Sequence, residues 1–249
     1  MTIYWLEQRE ADVPPDNLWL SPNELNRLST MRIPKRRTDW RLGRWTAKHA
    51  VASFLALSQP AFANIEIRAA SSGAPEVFLD NQPADVAISL SHSSGTALCT
   101  VAPSGTNFGC DLETIEPRDA AFIADYFTRE EQSFIGQVAI QDRPLLLALL
   151  WSAKESALKA LRAGLRLATT SVSVSLGGEW RSPREPLNRH FAHPEEWLPI
   201  SARYSAGQIF RGYWHTQGNL VRTVVSDAPQ FILQQSPCVQ KLLATALAT

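Results

Sequence analysis

The chain has few cysteines and no long apolar run. Its cysteines are Cys99, Cys110 and Cys238, an odd number without C-x-x-C or Cys/His spacing, so neither a disulfide framework nor a zinc site is predicted. The longest apolar run, residues 145–151, is too short to cross a bilayer, and the first residues lack the apolar segment of a secretory leader. We therefore expect reduced, mostly buried thiols in a cytoplasmic protein without a membrane partner.

The chain also lacks an excess of charge of either sign. Lys+Arg and Asp+Glu each number 24 in 249 residues, so no global field draws the protein to nucleic acid or to an anionic membrane. A hydrophobic content of 45% is enough to build the core of one large domain or two small ones. We expect a folded protein with no nucleic-acid partner, in which any anion site is local.

The hydrophobic patterns predict an α+β fold. In the first half, a strand and a helix capped by Ser21 precede a long helix over residues 36–57 and four strand-like runs. In the second half, a strand and helices again precede a long helix, over residues 144–163, and then several strands. This order predicts two similar lobes, residues 1–103 and 104–249, although identity between the halves is too low to prove a repeat.

Three short segments carry the residues best suited to chemistry. They are Ser91-His92-Ser93 after an alternating run, Gly109-Cys110-Asp111-Leu112-Glu113 in a predicted strand, and the stretch from Trp151 to Lys159 in the second long helix. Together they supply acidic ligands for a hard divalent cation and basic groups for the phosphates that such a cation bridges. The combination indicates a phosphoryl-type transfer.

The strand acids have the tightest geometric constraint. Asp111 and Glu113 project from one face of a strand, with Cα atoms roughly 6 to 7 Å apart, while Cys110 and Leu112 face the core. Two carboxylates so placed repel each other unless a cation lies between them. An ordinary solvated strand face explains the pair as well, and the pair alone does not decide between these alternatives.

The helix segment adds an acid and a cation. Trp151, Glu155 and Lys159 follow one another at i,i+4 and form one stripe. An alternative is a Glu155–Lys159 ion pair worth roughly a few tenths of a kcal/mol, with the indole in the core. His92, likewise, is either a turn residue bonded to neighbouring hydroxyls or a donor to an anion. A meeting of the helix stripe with the strand acids favours the metal and phosphate interpretation.

The order and spacing of these segments resemble the surfactin-type 4'-phosphopantetheinyl transferases. That family has a Ser-His-Ser segment, a Gly-x-Asp-x-Glu strand and a Trp-x-x-Lys-Glu-x-x-x-Lys helix, and all three are present here in the same order. The similarity covers roughly residues 36–176 and includes a basic helix face formed by Arg37, Arg41, Arg44 and Lys48. One departure is Ala74, where many relatives carry a cation for which Arg68 could substitute.

The resemblance implies a monomer of two similar α+β lobes related by pseudo-twofold symmetry, with coenzyme A in the cleft between them and Mg²⁺ on its diphosphate. The reaction moves the phosphopantetheine arm to a serine hydroxyl of an apo acyl, peptidyl or aryl carrier protein. Adenosine 3',5'-bisphosphate is released.

The resemblance also implies roles for individual residues. Asp111, Glu113 and Glu155 would coordinate Mg²⁺, and Glu155 would be the general base for the acceptor serine. The phosphates of coenzyme A would be bound by two sets of residues, His92 and Lys159 with Ser91 at the diphosphate, and Arg44 with Arg41 and Lys48 at the 3'-phosphate. His92, Lys159 and Glu155 are then the predicted catalytic residues.

Two other functions are compatible with the same residues. A catalytically idle module that binds coenzyme A or a carrier protein is one, although such a module would have lost an acid or a lysine, and none is lost here. A metal-dependent phosphohydrolase is the other, with water attacking in place of a serine hydroxyl.

Overall fold

The computed structural model describes residues 1–57, 61–177 and 197–236. The described residues form two compact units, the first containing residues 1–106 and those from Gln230 onward, the second containing residues 107–229. The helices are α1 (Pro22–Ser29), α2 (Pro34–Phe54), α3 (Ala120–Tyr126), α4 (Arg129–Gln137) and α5 (Arg143–Ala160). The strands are β1 (Thr2–Arg9), β2 (Ile65–Ala69), β3 (Pro75–Leu79), β4 (Gln82–Pro83), β5 (Val86–Ser93), β6 (Thr96–Pro103), β7 (Phe108–Thr114), β8 (Val172–Leu176), β9 (Leu198–Tyr204), β10 (Ile209–Gln217), β11 (Leu220–Ser226) and β12 (Ile232–Gln235).

The first unit is built on a sheet with the strand order β12-β1-β6-β5, and a smaller sheet has the order β2-β3-β4. Helix α2 packs against β1, β5 and β6. Ala47, Ala50 and Val51 are fully buried in this core, and two of them are alanines, so the helix backbone lies close to the sheet. Strand β12 pairs in parallel with β1. The structure thus differs from the predicted lobe of residues 104–249, because β12 belongs with the first unit.

The second unit has the antiparallel strand order β7-β11-β10-β9-β8, with α5 packed on one face. The apolar side of α5 includes Leu149, Ala153 and Ala157, which share a core with Val221 and Val225 of β11. Helices α3 and α4 pack on another side of α5 through a second apolar cluster. Both units mix helices with antiparallel strands, so the predicted α+β class is confirmed, while pseudo-twofold symmetry stays a prediction.

Gly109 explains why β7 and α5 lie so close together. A Cβ atom at this position would lie 2.0 Å from the backbone oxygen of Ser156 and 2.8 Å from the backbone nitrogen of Ala160. Only glycine allows the strand to approach the helix backbone to this distance. The glycine of the motif therefore brings the following acids of β7 beside α5.

The two long helices end earlier than predicted, and they end in the same way. Ala56 after α2 has a φ of 52° and Arg162 after α5 has a φ of 53°, so both adopt the left-handed conformation. The next amides, of Leu57 and Ala163, donate to carbonyls of the last helical turn, as in a Schellman cap. The sequence led us to extend α5 to Ala163, just before Gly164, but the helix ends at Ala160 and Leu161 is its C-cap.

Several smaller predictions can also be compared with the structure. Ser21 and Thr128 each cap a helix in a complete capping box. The Ser91-His92-Ser93 segment lies within β5 rather than after it. Cys99 and Cys110 are reduced and buried, as predicted, while Cys238 lies outside the described residues. In the described ranges, none of the helices combines the length and apolar character needed to span a membrane.

Candidate functional site

Asp111 and Lys159 join β7 to α5. The Lys159 ammonium donates to Asp111 Oδ1 at 2.7 Å and to the carbonyl of Cys110 at 3.1 Å. Asp111 is 3% exposed, whereas the Lys159 side chain is 26% exposed. Burial alone would lower the pKa of Lys159, but Asp111 and Glu155 raise it above its usual value. The lysine of the helix stripe therefore stays charged beside a buried carboxylate.

Glu113 contacts a different part of the stripe. The indole nitrogen of Trp151 donates to its Oε1 at 3.0 Å, and Arg118 lies 3.7 Å from its Oε2. Burial, together with the charge of Asp111, raises the pKa of Glu113 to about 7. Its position therefore disfavours a negative charge unless a cation compensates for it.

Glu155 is the least satisfied of the three acids. Its Oε1 is buried and has no hydrogen-bond partner among the described residues. Burial and then the charge of Asp111 raise the pKa of Glu155, and Lys159 opposes them. The alternative of a simple Glu155–Lys159 helix ion pair is not what the described residues form, because the salt bridge of Lys159 is to Asp111.

The three acids fit a hard cation by their chemistry. The charge of Asp111 raises the pKa of both Glu113 and Glu155. This effect reflects repulsion between the carboxylates, which a divalent cation would relieve. Within residues 1–57, 61–177 and 197–236, no three or more His, Cys, Asp or Glu side chains are arranged as a ligand set. Lys159 and Arg118 supply the compensating charge here. Coordination by Asp111, Glu113 and Glu155 stays a prediction.

Three buried hydroxyls fix the rotation of α5 against the sheet. Thr223 lies opposite Asp111 on β11, and its Oγ1 is 2.8 Å from Ser152 Oγ and 2.7 Å from Ser156 Oγ. Because Glu155 lies between the two serines along the helix, these contacts also restrict where its side chain can point.

Ser91 and His92 lie in the first unit, on β5. His92 is exposed and stands opposite Ala97 of β6, while Ser91 is 9% exposed. Their predicted role at a diphosphate concerns a ligand and stays a prediction.

The structure corrects the predicted role of Lys48 in the phosphate site. Its ammonium is fully buried and donates to the carbonyls of Trp19 at 2.9 Å and Phe62 at 2.8 Å, with Glu24 at 2.6 Å. These three partners use all three protons of the ammonium. The prediction that Lys48 holds the 3'-phosphate is therefore wrong, and Lys48 is part of the interior of the first unit.

Arg41 is also committed to the protein. Its guanidinium donates to the backbone carbonyls of Pro14, Pro15 and Asp16 and so holds the loop between β1 and α1. Arg37 is used in a similar way, on the carbonyls of Leu28 and Met31. The helical period placed these cations on one face correctly, but it contained no signal that loop carbonyls would occupy that face.

Arg44 differs from its neighbours on α2. Its side chain is 17% exposed, and Nε, 3.8 Å from Glu24, is buried without a hydrogen-bond partner among the described residues. The guanidinium stacks on Trp40 at 4.8 Å. Burial lowers the pKa of Arg44, and Glu24 opposes this effect. Of the predicted phosphate ligands on this helix, Arg44 retains the most unused donor capacity.

The sequence did not single out Arg118. Besides Glu113, it contacts Glu116 at 2.9 Å and stacks on Phe122 at 4.9 Å. It lies in the connection between β7 and α3, where no periodic pattern relates it to the acids. An arginine shortly after an acid-x-acid strand is the only signal that could have indicated it.

The comparisons with known proteins agree with the motifs. The profile of a family described as the 4'-phosphopantetheinyl transferase superfamily matches residues 107–194. The chain is also 29% identical over 235 residues to enterobactin synthase component D of Salmonella austin, covering 89% of this chain and 88% of that protein. The predicted enzyme class, a 4'-phosphopantetheinyl transferase, is confirmed at this level.

Two solved structures show a partial likeness. One is a holo-(acyl-carrier-protein) synthase from Bacillus anthracis str. Ames in complex with CoA (3',5'-ADP), 23% identical over 40% of this chain and 92% of that chain, with a TM-score of 0.34. The other is the Helicobacter pylori holo-[acyl-carrier-protein] synthase in complex with coenzyme A, 20% identical over 41% of this chain and 100% of that chain, with a TM-score of 0.33.

Proposed function

We propose that the protein transfers the phosphopantetheine arm of coenzyme A to a serine hydroxyl of an apo acyl, peptidyl or aryl carrier protein, as a surfactin-type transferase. The observation that carries the proposal is the meeting of Asp111 and Glu113 on β7 with Trp151 and Lys159 on α5. These residues lie within the segment that matches the superfamily profile. The similarity to enterobactin synthase component D extends over most of the chain and supports a role in a synthase of that kind.

The position of Glu155 suits a general base. Its Oε1 is buried and has no hydrogen-bond partner among the described residues, so it is available to take the proton of the acceptor serine, directly or through water. Lys159 would neutralise the charge that develops on the nucleotide phosphate as the bridging P–O bond of the diphosphate breaks, with His92 as a second donor. The released nucleotide is adenosine 3',5'-bisphosphate, so the transferred phosphoryl group stays with the arm.

Mg²⁺ belongs to the proposal as a bound ion held by Asp111, Glu113 and Glu155. When bound, it would supply charge neutralisation at the diphosphate, which is the main requirement of phosphoryl transfer. A cytoplasmic monomer with coenzyme A in a cleft between pseudo-symmetric lobes is the form of the enzyme that the resemblance implies.

Intact mass spectrometry tests the proposal. The protein is incubated with coenzyme A, Mg²⁺ and apo acyl, peptidyl and aryl carrier proteins, and at least one carrier should gain the mass of the arm. Binding of coenzyme A without a mass gain would favour an idle binding module. Cleavage of coenzyme A in the absence of any carrier would favour a phosphohydrolase.

Arg44 is the proposed ligand of the 3'-phosphate. Arg44→Ala should raise the KM for coenzyme A. It should also reduce the preference of the enzyme for coenzyme A over 3'-dephospho-coenzyme A, because only coenzyme A carries the 3'-phosphate that Arg44 would contact. Arg36→Ala, an exposed cation of the same helix, is the control. An unchanged preference in Arg44→Ala would assign the contact to another residue.

His92→Ala tests the first unit's contribution to the reaction. If the imidazole donates to the diphosphate, turnover should fall about ten- to a thousandfold while the protein stays folded. Steady-state transfer to one apo carrier protein measures this effect. Intact turnover would make His92 a structural residue of β5.

A further inference from the structure

A buried lysine–glutamate pair lies inside each unit. The first clamp is formed by Glu24 and Lys48, whose carboxylate and ammonium are 2.6 Å apart. Glu24 also accepts from the backbone amides of Ser21 at 3.0 Å and Ile67 at 3.2 Å. Through these contacts, the first clamp ties the start of α1 and strand β2 to helix α2.

The second clamp is formed by Glu131 and Lys154, 2.8 Å apart. Lys154 donates to the carbonyls of Thr169, at 3.0 Å, and Val172. Glu131 accepts from the backbone amides of Thr128 and Val174, both at 2.9 Å. The second clamp therefore ties the start of α4 and strand β8 to helix α5.

The two clamps match part by part. In each, the glutamate closes a capping box and then reaches a strand amide that lies 43 residues further along the chain. In each, the lysine ammonium lies 5.7 Å from an aromatic ring centre, that of Trp19 in the first clamp and Phe127 in the second. The same device is thus built twice, on the long helix of each unit.

Such a pair is costly to bury. Desolvation of two charges outweighs their attraction unless the remaining protons and lone pairs are also bonded. Both clamps meet this condition, because each ammonium has two carbonyl partners and each carboxylate has two amide partners. A fully bonded buried network rigidifies the core around it and favours one position of the helix.

What each clamp holds is different. Arg44 lies one turn before Lys48 on α2, and its Nε is 3.8 Å from the Glu24 carboxylate of the first clamp. Glu155 follows Lys154 directly on α5, and Lys159 lies on the same helix, bonded to Asp111. The clamp lysines themselves are fully buried.

We propose that the two clamps are positioning devices with separate tasks. The first clamp holds Arg44 for the 3'-phosphate of coenzyme A. The second clamp holds Glu155 and Lys159 for the transfer step. This inference rests on the proposed function.

The test uses Glu24→Gln and Glu131→Gln, because glutamine keeps the shape and one acceptor. For Glu24→Gln we expect the KM for coenzyme A to rise about tenfold, with kcat and the constants for 3'-dephospho-coenzyme A nearly unchanged. For Glu131→Gln we expect kcat to fall about tenfold or more at a nearly unchanged KM. Calorimetric titration with coenzyme A should show weaker binding in the first variant only.

Asp39→Asn is the matched control, because Asp39 pairs with the exposed Lys35 near the start of the same helix as the first clamp. Its constants should equal those of the unmodified protein. Thermal unfolding of each variant separates loss of fold from loss of position. If a glutamine variant is unfolded at the assay temperature, Lys48→Arg and Lys154→Arg are used in place of Glu24→Gln and Glu131→Gln. We expect Lys48→Arg to change the KM for coenzyme A and Lys154→Arg to change kcat.

Two outcomes would overturn the proposal. One is that both clamp variants change the same constant, and the other is that both lower the melting temperature without changing kcat or KM. Failure of the unmodified protein to modify any carrier or to bind coenzyme A would instead contradict the proposed function. The two failures are therefore distinguishable.

Discussion

The two long helices carry the same clamp but different residues around it. On α5, Trp151, Glu155 and Lys159 bracket the clamp lysine, and Trp151 and Lys159 contact the acids of β7. The corresponding positions of α2 hold Trp45, His49 and Ser53.

The first unit uses these positions for packing. The His49 ring lies 4.3 Å from Trp45 and 4.5 Å from Phe62, and burial lowers its pKa to about 4. The first unit has therefore kept an uncharged aromatic cluster where the second unit has an acid and a cation. The same arrangement of clamp, long helix and sheet therefore accommodates packing residues in the first unit and charged residues in the second.

Glu155→Gln should give the largest effect. Loss of the proposed general base should lower kcat about a thousandfold, while stability is retained because a neutral side chain suits the buried site better than a carboxylate. His49→Gln, at the corresponding position of α2, should change kcat less than about twofold. Steady-state transfer and thermal unfolding of both variants check the contrast. A comparable loss of activity in both variants would contradict the expected contrast between the two helices.

Gly109→Ala should be the most damaging change to the fold of the second unit. The added methyl group would meet the Ser156 backbone oxygen, and separating β7 from α5 should cost about 3 kcal/mol or more. Gly136→Ala is the control, because an added Cβ there meets nothing within 4 Å. Denaturant unfolding of the two variants measures the difference. Equal stability would show that the strand can move away from the helix at little cost.

Lys159→Ala should lower kcat about a hundredfold with a smaller change in the KM for coenzyme A, since the lost charge acts most on the transition state. It should also lower stability, because Asp111 would remain buried beside an alanine. Ser53→Ala on α2 is the matched control. An effect confined to stability, with kcat unchanged, would make Lys159 a structural ion-pair partner.

Glu113→Gln should give the smallest effect, and one that depends on pH. The folded-state pKa of about 7 lies above the usual value, so Glu113 favours the folded state at low pH. That contribution is lost as pH rises from about 4.5 to 7. Glutamine should therefore stabilise the metal-free protein at pH 8, with no difference near pH 4. Denaturant unfolding at both pH values measures this, and an equal offset at both would contradict the raised pKa.

The sequence predicted the helices, the capping boxes and most strands, because these depend on local periodicity and on end signals such as Ser21 and Thr128. Strand β12 was missed, since four residues of mixed polarity acquire their strand conformation from pairing with β1. The short strand β4 is likewise defined by its partner β3.

The site was predicted unevenly for a related reason. Spacing placed Asp111 and Glu113 on one strand face, and the stripe of Trp151 and Lys159 does contact them. Spacing did not indicate that Lys48 would be buried on Glu24, because that depends on a glutamate from another helix. Periodicity tells which residues share a face, but it does not tell what covers that face.

The pairing of β12 with β1 has a consequence for the order in which the chain can fold during synthesis. All residues of the second unit emerge from the ribosome after β1 and before β12. Until then β1 presents an unpaired edge, which is a template for pairing with other chains. The second unit is continuous in sequence and can fold as soon as it is made. The first unit, in contrast, can complete its sheet only after β12 has been made.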